Sequence, residues 1–178
     1  MARFFRAAKD DLGKTPGWEA RKQNHHRRAE RTALTVYLDS SALVKLYVPE
    51  DETPAVAAFV QNLRKPLPFS HLHELEVKNA LRLKVFRKEA VTRKVGMSIS
   101  AIDTDLGSNV LKRPELNWLD VFRRAQDLSK RLSIRSGSRS LDLLHVASCL
   151  LIPCPEFLTF DERQAVIARK AGLRLVRL

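Results

Sequence analysis

Apolar and polar positions divide the chain into two regimes. From Leu34 onward, short apolar runs alternate with stretches of helical spacing, whereas residues 1–33 carry almost no apolar periodicity. Leu34 to Leu38 reads as a buried strand that ends at Asp39. Ser41 to Tyr47 fits a short helix closed by Pro49, and Thr53 to Leu63 places Val56, Ala57, Phe59, Val60 and Leu63 on one side. Pro66 to Ser70 is a second strand. The next segment, Leu72 to Arg87, is predicted as a helix with Leu72, Leu75, Ala80, Leu83 and Phe86 inward and Lys78, Arg82, Arg87 and Lys88 outward or at its end. One or two helices follow over Ala90 to Gly107, then a strand over Asn109 to Lys112. Trp118 to Leu132 is helical and leads into a loop rich in Ser, Gly and Arg, from Ser133 to Arg139. The last section reads as helix 140–152, strand Glu156 to Phe160, helix Glu162 to Ala171 stopped by Gly172, and strand Leu173 to Val176. Apolar strands alternating with helices predict an α/β fold whose mostly parallel sheet is covered on both faces.

Composition sharpens this picture at the N-terminus. Residues 1–33 hold nine basic and four acidic side chains, with a His25-His26-Arg27-Arg28 run, and read as a basic, disordered tail. A nucleic-acid-touching arm, or a start assigned upstream of the real one, are the alternatives. Residues 34–178 form the folded domain. Hydrophobic residues make up 44% of the chain and charged residues 29%, a globular balance. The longest apolar candidate, Leu141 to Ile152, contains Asp142 and His145 and stops at Pro153, so a buried helix is expected and no membrane span. Lys and Arg outnumber Asp and Glu by 32 to 20, a net charge of +12, which favours a polyanionic partner such as nucleic acid. Cys149 and Cys154 have no second Cys pair to complete a zinc site. They read as reduced core thiols of a cytoplasmic protein, and the N-terminus lacks an apolar secretory core.

The chemistry is carried by four acidic residues, each set beside or inside an apolar run: Asp39, Glu76, Asp142 and Asp161. A carboxylate in such surroundings is costly to keep ionised unless a cation, hydrogen-bond donors or water compensate it. Asp39 and Asp161 each follow a strand, at the edge where open parallel sheets bind ligands. Asp142 lies in the first turn of its helix, and Glu76 shares a helical face with Asn79, Ala80 and Leu83 that would point to the sheet. Bare carboxylates about 4 Å apart repel by roughly 4 kcal/mol per pair at an effective dielectric of about 20. Mg²⁺ or Mn²⁺ removes that penalty and equips the site for metal-assisted phosphodiester hydrolysis. Each acid also has a purely structural reading: Asp39 and Asp161 as helix caps, Asp142 as a first-turn dipole partner, Glu76 paired with a nearby Lys or Arg. Other catalytic patterns are missing. The six glycines are scattered, Asp39 has no second Asp two positions on, no G-x-S-x-G run exists, and aromatics are only 7%, too sparse for a stacking platform.

Four motifs in order, Tyr37-Leu38-Asp39-Ser40-Ser41-Ala42-Leu43-Val44-Lys45-Leu46-Tyr47, Leu75-Glu76-Val77-Lys78-Asn79-Ala80-Leu81, Ser140-Leu141-Asp142-Leu143-Leu144-His145-Val146-Ala147 and Phe157-Leu158-Thr159-Phe160-Asp161, give residues 34–178 a specific likeness. The segment resembles PIN-domain proteins of the VapC toxin type. The resemblance implies a three-layer α/β/α sandwich and an Mg²⁺- or Mn²⁺-dependent endoribonuclease. It also implies frequent homodimerisation and inhibition by a small VapB-like antitoxin. Carried over by position, Asp39 and Asp142 match the principal metal ligands, Glu76 a ligand or activator of the attacking water, and Asp161 a supporting group or ligand to a second ion. Glu76 is preferred to Glu74 because it stands four residues before Ala80-Leu81, as the family's Glu does before its small-residue pair. Ser40 and Thr159 are candidates to bind metal-bound water, though more often such residues make local hydrogen bonds. His145 reads first as a satisfied core histidine and second as a substrate contact. A PIN-like RNA-binding module without catalysis and a structure-specific DNA nuclease are the rival readings.

Overall fold

A computed structural model describes residues 36–63 and 65–178; the tail expected over residues 1–33 lies outside the described residues. The first strand, β1 (Val36–Leu38), pairs in parallel with β4 (Glu156–Leu158), which pairs in parallel with β5 (Arg174–Leu175). Beside β1 lies a second parallel pair, β2 (Leu67–Pro68) with β3 (Leu111–Lys112). Among the described residues the three-stranded and two-stranded sheets are not joined by a ladder, and a side chain takes up the free carbonyl at the seam: Leu38 O bonds to His73 Nε2 at 3.0 Å. A buried carbonyl demands such a partner.

Among the described residues, seven helices cover the strands: α1 (Ser40–Val44), α2 (Thr53–Gln61), α3 (His71–Phe86), α4 (Thr92–Gly107), α5 (Trp118–Ser136), α6 (Ser140–Leu151) and α7 (Glu162–Lys170). Alternation along β1 and β4 divides the interior in two. Tyr37 and Phe157 face one way, into a core with Val121, Leu128, Leu143 and Ile167 from α5, α6 and α7. Val36, Leu38 and Leu158 face the other way, into a core with Leu43, Val56, Val77, Leu81 and Ile102 from α1 to α4. A sheet with an apolar core on each face is the three-layer α/β/α arrangement expected from the strand and helix order. Tyr37 and Phe157 stack with ring centroids 5.4 Å apart and planes inclined by 9°.

Two sequence expectations change here. On α3 the buried stripe is Leu72, His73, Val77 and Leu81, while Leu75, Leu83 and Phe86 face solvent. Leu72 is buried and Ala80 partly buried as expected, but spacing places Leu75, Leu83 and Phe86 inward where Val77 and Leu81 are. The Ser133–Arg139 loop is also shorter than expected, because α5 continues through Ser136 and ends at Gly137 with φ +62°. A left-handed residue there lets the Gly137 N–H donate to Ser133 O at 2.9 Å, closing the last turn. The region 90–107 resolves into the single helix α4. Cys149 and Cys154 are buried and free, as expected. Among the described residues, no helix is long and apolar enough to cross a membrane.

Candidate active site

The carboxyl ends of β1 and β4 lie side by side, and Asp39 N–H donates to Leu158 O at 3.0 Å. Chain direction therefore delivers Asp39, and the residues after Leu158, to one edge. Asp39 is the N-cap of α1: its Oδ1 accepts from Ala42 N–H at 2.9 Å. Ser41 Oγ lies 2.7 and 2.9 Å from its two oxygens, and Thr159 Oγ1 donates to Oδ2 at 2.7 Å. The residue is only 4% exposed, and no basic side chain is paired with it among the described residues. Burial raises its carboxyl above the usual range; the field of His145 and the donors Ser41, Thr159 and Ala42 oppose that rise without cancelling it.

Glu76 stands on α3, half-buried, and reaches across to two other elements. Its Oε2 accepts from Ser40 Oγ at 2.7 Å and contacts His145 Nε2. Burial works to raise this carboxyl, and the His145 and Ser40 contacts outweigh it, leaving it below its ordinary value. Glu74, the competing candidate, is committed elsewhere, to Lys78 Nζ at 2.9 Å and Arg113 at 2.5 Å. The expected alternative of a Lys or Arg partner thus holds for Glu74 and not for Glu76.

Asp142 lies in the first turn of α6 and accepts from Arg139 N–H at 2.9 Å. Asp161 caps α7 through Arg163 N–H at 2.8 Å and Gln164 N–H at 3.1 Å, with the Arg163 guanidinium 3.6 Å away. Helix capping is therefore a real task of Asp39, Asp142 and Asp161. It does not exhaust them, since one carboxylate oxygen set can cap a helix and still face a crevice.

The acids are joined through intermediates. Thr159 Oγ1 binds Asp39 and also accepts from Asp161 N–H at 3.0 Å. Ser40, next to Asp39, holds Glu76, and His145, one turn beyond Asp142 on α6, holds Glu76 from the other side. Among the described residues, no three His, Cys, Asp or Glu side chains are grouped as they lie to hold a metal ion. The donor chemistry nevertheless fits a divalent cation. Hard carboxylate oxygens are what Mg²⁺ and Mn²⁺ take, and Asp39 is a buried carboxylate that, among the described residues, forms no salt bridge.

Spacing did not reveal several parts of this site. Tyr37 OH bonds His145 Nδ1 at 2.9 Å on the face covered by α6, and His73 lies against both rings. These are contacts between residues far apart in sequence, with no local signature. Ser41 left a trace in the Asp39-Ser40-Ser41 run, where a hydroxyl two residues past an N-cap can fold back on it.

A PIN domain family model matches residues 36–170, which spans every element just described except β5. The chain belongs to the PIN-domain family. This PIN domain is 31% identical over 143 residues to Ribonuclease VapC46 of Mycobacterium tuberculosis, a match covering 79% of the chain and 95% of the relative. The three-layer fold and the family expected from the four motifs are thereby established. Asp39, Asp161 and the partners of Glu76 lie within the matched span.

Proposed function

We propose that this PIN domain is a divalent-metal-dependent endoribonuclease, the toxin of a VapBC-type toxin–antitoxin pair. The observation that carries the reading is Asp39: a buried carboxylate at the end of β1 with no salt bridge among the described residues, linked through Ser40 to Glu76 and through Thr159 to the Asp161 loop. Asp39, Glu76 and Asp142 are the residues that would hold Mg²⁺ or Mn²⁺, with Asp161 supporting them. When bound, the ion supplies Lewis acidity and neutralises charge developing on phosphodiester oxygens. The protein's own part is positioning. Ser41 and Thr159 fix the Asp39 oxygens, Ser40 and His145 fix Glu76, and the Arg139 backbone fixes Asp142. Exposed Arg139 and Arg163, beside Asp142 and Asp161, offer cations to the RNA backbone.

The partner we propose is a small VapB-like antitoxin with an acidic or amphipathic segment laid over this basic rim, in a cytoplasmic setting. A homodimer is supported by Leu119 and Phe122, two exposed apolar residues one turn apart on α5. Matched RNA and DNA oligonucleotides offered to the purified protein test the activity. RNA cleavage with Mg²⁺ or Mn²⁺, abolished by chelator and by Asp39→Asn, is expected. RNA binding without cleavage would favour a non-catalytic module, and preferential DNA cleavage would favour a DNA nuclease.

A further inference from the structure

The three acids proposed to hold metal sit on different elements, Asp39 before α1, Glu76 on α3 and Asp142 on α6, so their spacing depends on what ties those elements together. Glu76 is the one whose helix approaches from the side, and its carboxylate is held at a single oxygen. Ser40 Oγ donates to Oε2 at 2.7 Å, and His145 Nε2 contacts the same Oε2. Among the described residues no donor is bonded to Oε1, and the side chain is 22% exposed. Behind the clamp, His145 Nδ1 lies 2.9 Å from Tyr37 OH on β1, and both rings are buried.

The proton arrangement in this chain follows from its ends. Ser40 gives its hydrogen to Glu76, and an ionised carboxylate only accepts, so Nε2 must carry the hydrogen that points at Glu76. On the far side of the ring, Nδ1 takes the Tyr37 hydroxyl as its hydrogen-bond partner. Tyr37 thus fixes the ring orientation that holds Glu76.

We propose that His145 is a positioning residue, oriented by Tyr37, that pins Glu76 Oε2 to the helix bearing Asp142 and so leaves Oε1 free to take a divalent cation. The proposal rests on the metal-dependent reading above and adds to it a role for two residues that touch neither metal nor RNA. Partners of this kind, one bond behind a metal ligand, are typically worth 10- to 100-fold in metal affinity or activity.

The test measures Mn²⁺ affinity of the full-length protein without RNA, by electron paramagnetic resonance of free Mn²⁺. It sets that beside steady-state RNA cleavage at saturating metal and a urea unfolding curve. Two variants separate positioning from filling. His145→Gln can present an N–H where Nε2 stood and keep the Glu76 contact, whereas His145→Asn reaches only toward Tyr37. Expected are a 10- to 100-fold loss of Mn²⁺ affinity in His145→Asn, recovery to within about threefold in His145→Gln, and an intermediate loss in Tyr37→Phe, with kcat falling and KM for RNA unchanged. Equal Mn²⁺ affinity in all folded variants would overturn the proposal, as would rescue by Asn rather than Gln. If His145→Asn fails to fold, the Tyr37→Phe and His145→Gln affinities decide. A wild-type protein that binds no Mn²⁺ would instead sink the metal-dependent reading itself, which is a different failure.

Discussion

Asp39 and His73 show how single residues carry charge in this interior. Asp39 is held in the folded chain with its carboxyl raised by burial, so the metal-free fold binds a proton there more readily than the unfolded chain does. Its ionisation therefore weakens the apo protein as pH rises through the raised value. Asp39→Asn should increase the thermal midpoint of the chelated protein at neutral pH while abolishing RNA cleavage, with the gain shrinking in acid. Differential scanning fluorimetry with chelator from pH 8 down to 4 checks this, and a lower midpoint at neutral pH would contradict it. His73 works in the opposite sense. It is fully buried, accepts from Ser70 N–H at Nδ1 and bonds Leu38 O through Nε2, so burial first, then the nearby His145, keeps it neutral far below its ordinary 6.5. The unfolded chain protonates that imidazole below about pH 6.5, so this contribution to stability is complete above that pH and is lost as pH falls below it. Urea midpoints should drop from pH 7.5 to 5.0 more in the wild type than in His73→Gln. The acids were legible in the sequence because a carboxylate beside an apolar run is an anomaly in one dimension. Tyr37, His73 and the clamp on Glu76 were not, because an aromatic or histidine in an apolar run looks the same whether or not a partner over 30 residues away awaits it.

Helix α3 carries the clearest element-scale lesson. Its two apolar stripes, Leu72-Val77-Leu81 and Leu75-Leu83-Phe86, are equally regular, and only the sheet decides which is buried. Leu81→Ala should cost about 2–5 kcal/mol, the range for emptying a packed leucine site. Leu75→Ala and Phe86→Ala should stay within about 0.5 kcal/mol. Urea unfolding of the three variants compares the faces directly, and equal losses would contradict the assignment. The extra turn of α5 has a similar origin. Ser133 to Ser136 give little helical periodicity, and the helix persists to Gly137, whose φ of +62° terminates it. Gly137→Ala should cost about 1 kcal/mol, since a Cβ is strained in that conformation. The same junction precedes Arg139, whose backbone orients Asp142, so the variant should also lower cleavage. The strand and helix order, by contrast, was readable throughout, because parallel strands buried on both faces must appear as apolar runs separated by helices.

At the scale of the molecule, the chain carries a net charge of +12, and the exposed Arg139 and Arg163 stand beside Asp142 and Asp161. Cations at the rim attract the RNA backbone while the acids within repel it until a divalent ion is present. RNA affinity of the Asp39→Asn protein should therefore fall steeply as salt rises, with log K linear in log salt at a slope set by the number of phosphates neutralised. Fluorescence anisotropy from 50 to 300 mM NaCl measures that slope, and a flat dependence would remove the charge from the account. The central proposal is that side chains from the β1–α1 junction, α3, α6 and the β4–α7 loop serve a common cation. The most direct measurement is anomalous diffraction from crystals soaked in Mn²⁺. The account predicts a manganese peak bonded to Asp39 and Asp142 with Glu76 Oε1 turned toward it and Oε2 still on His145. Manganese bound elsewhere, or no peak at that edge while the acids keep only their capping bonds, would contradict it.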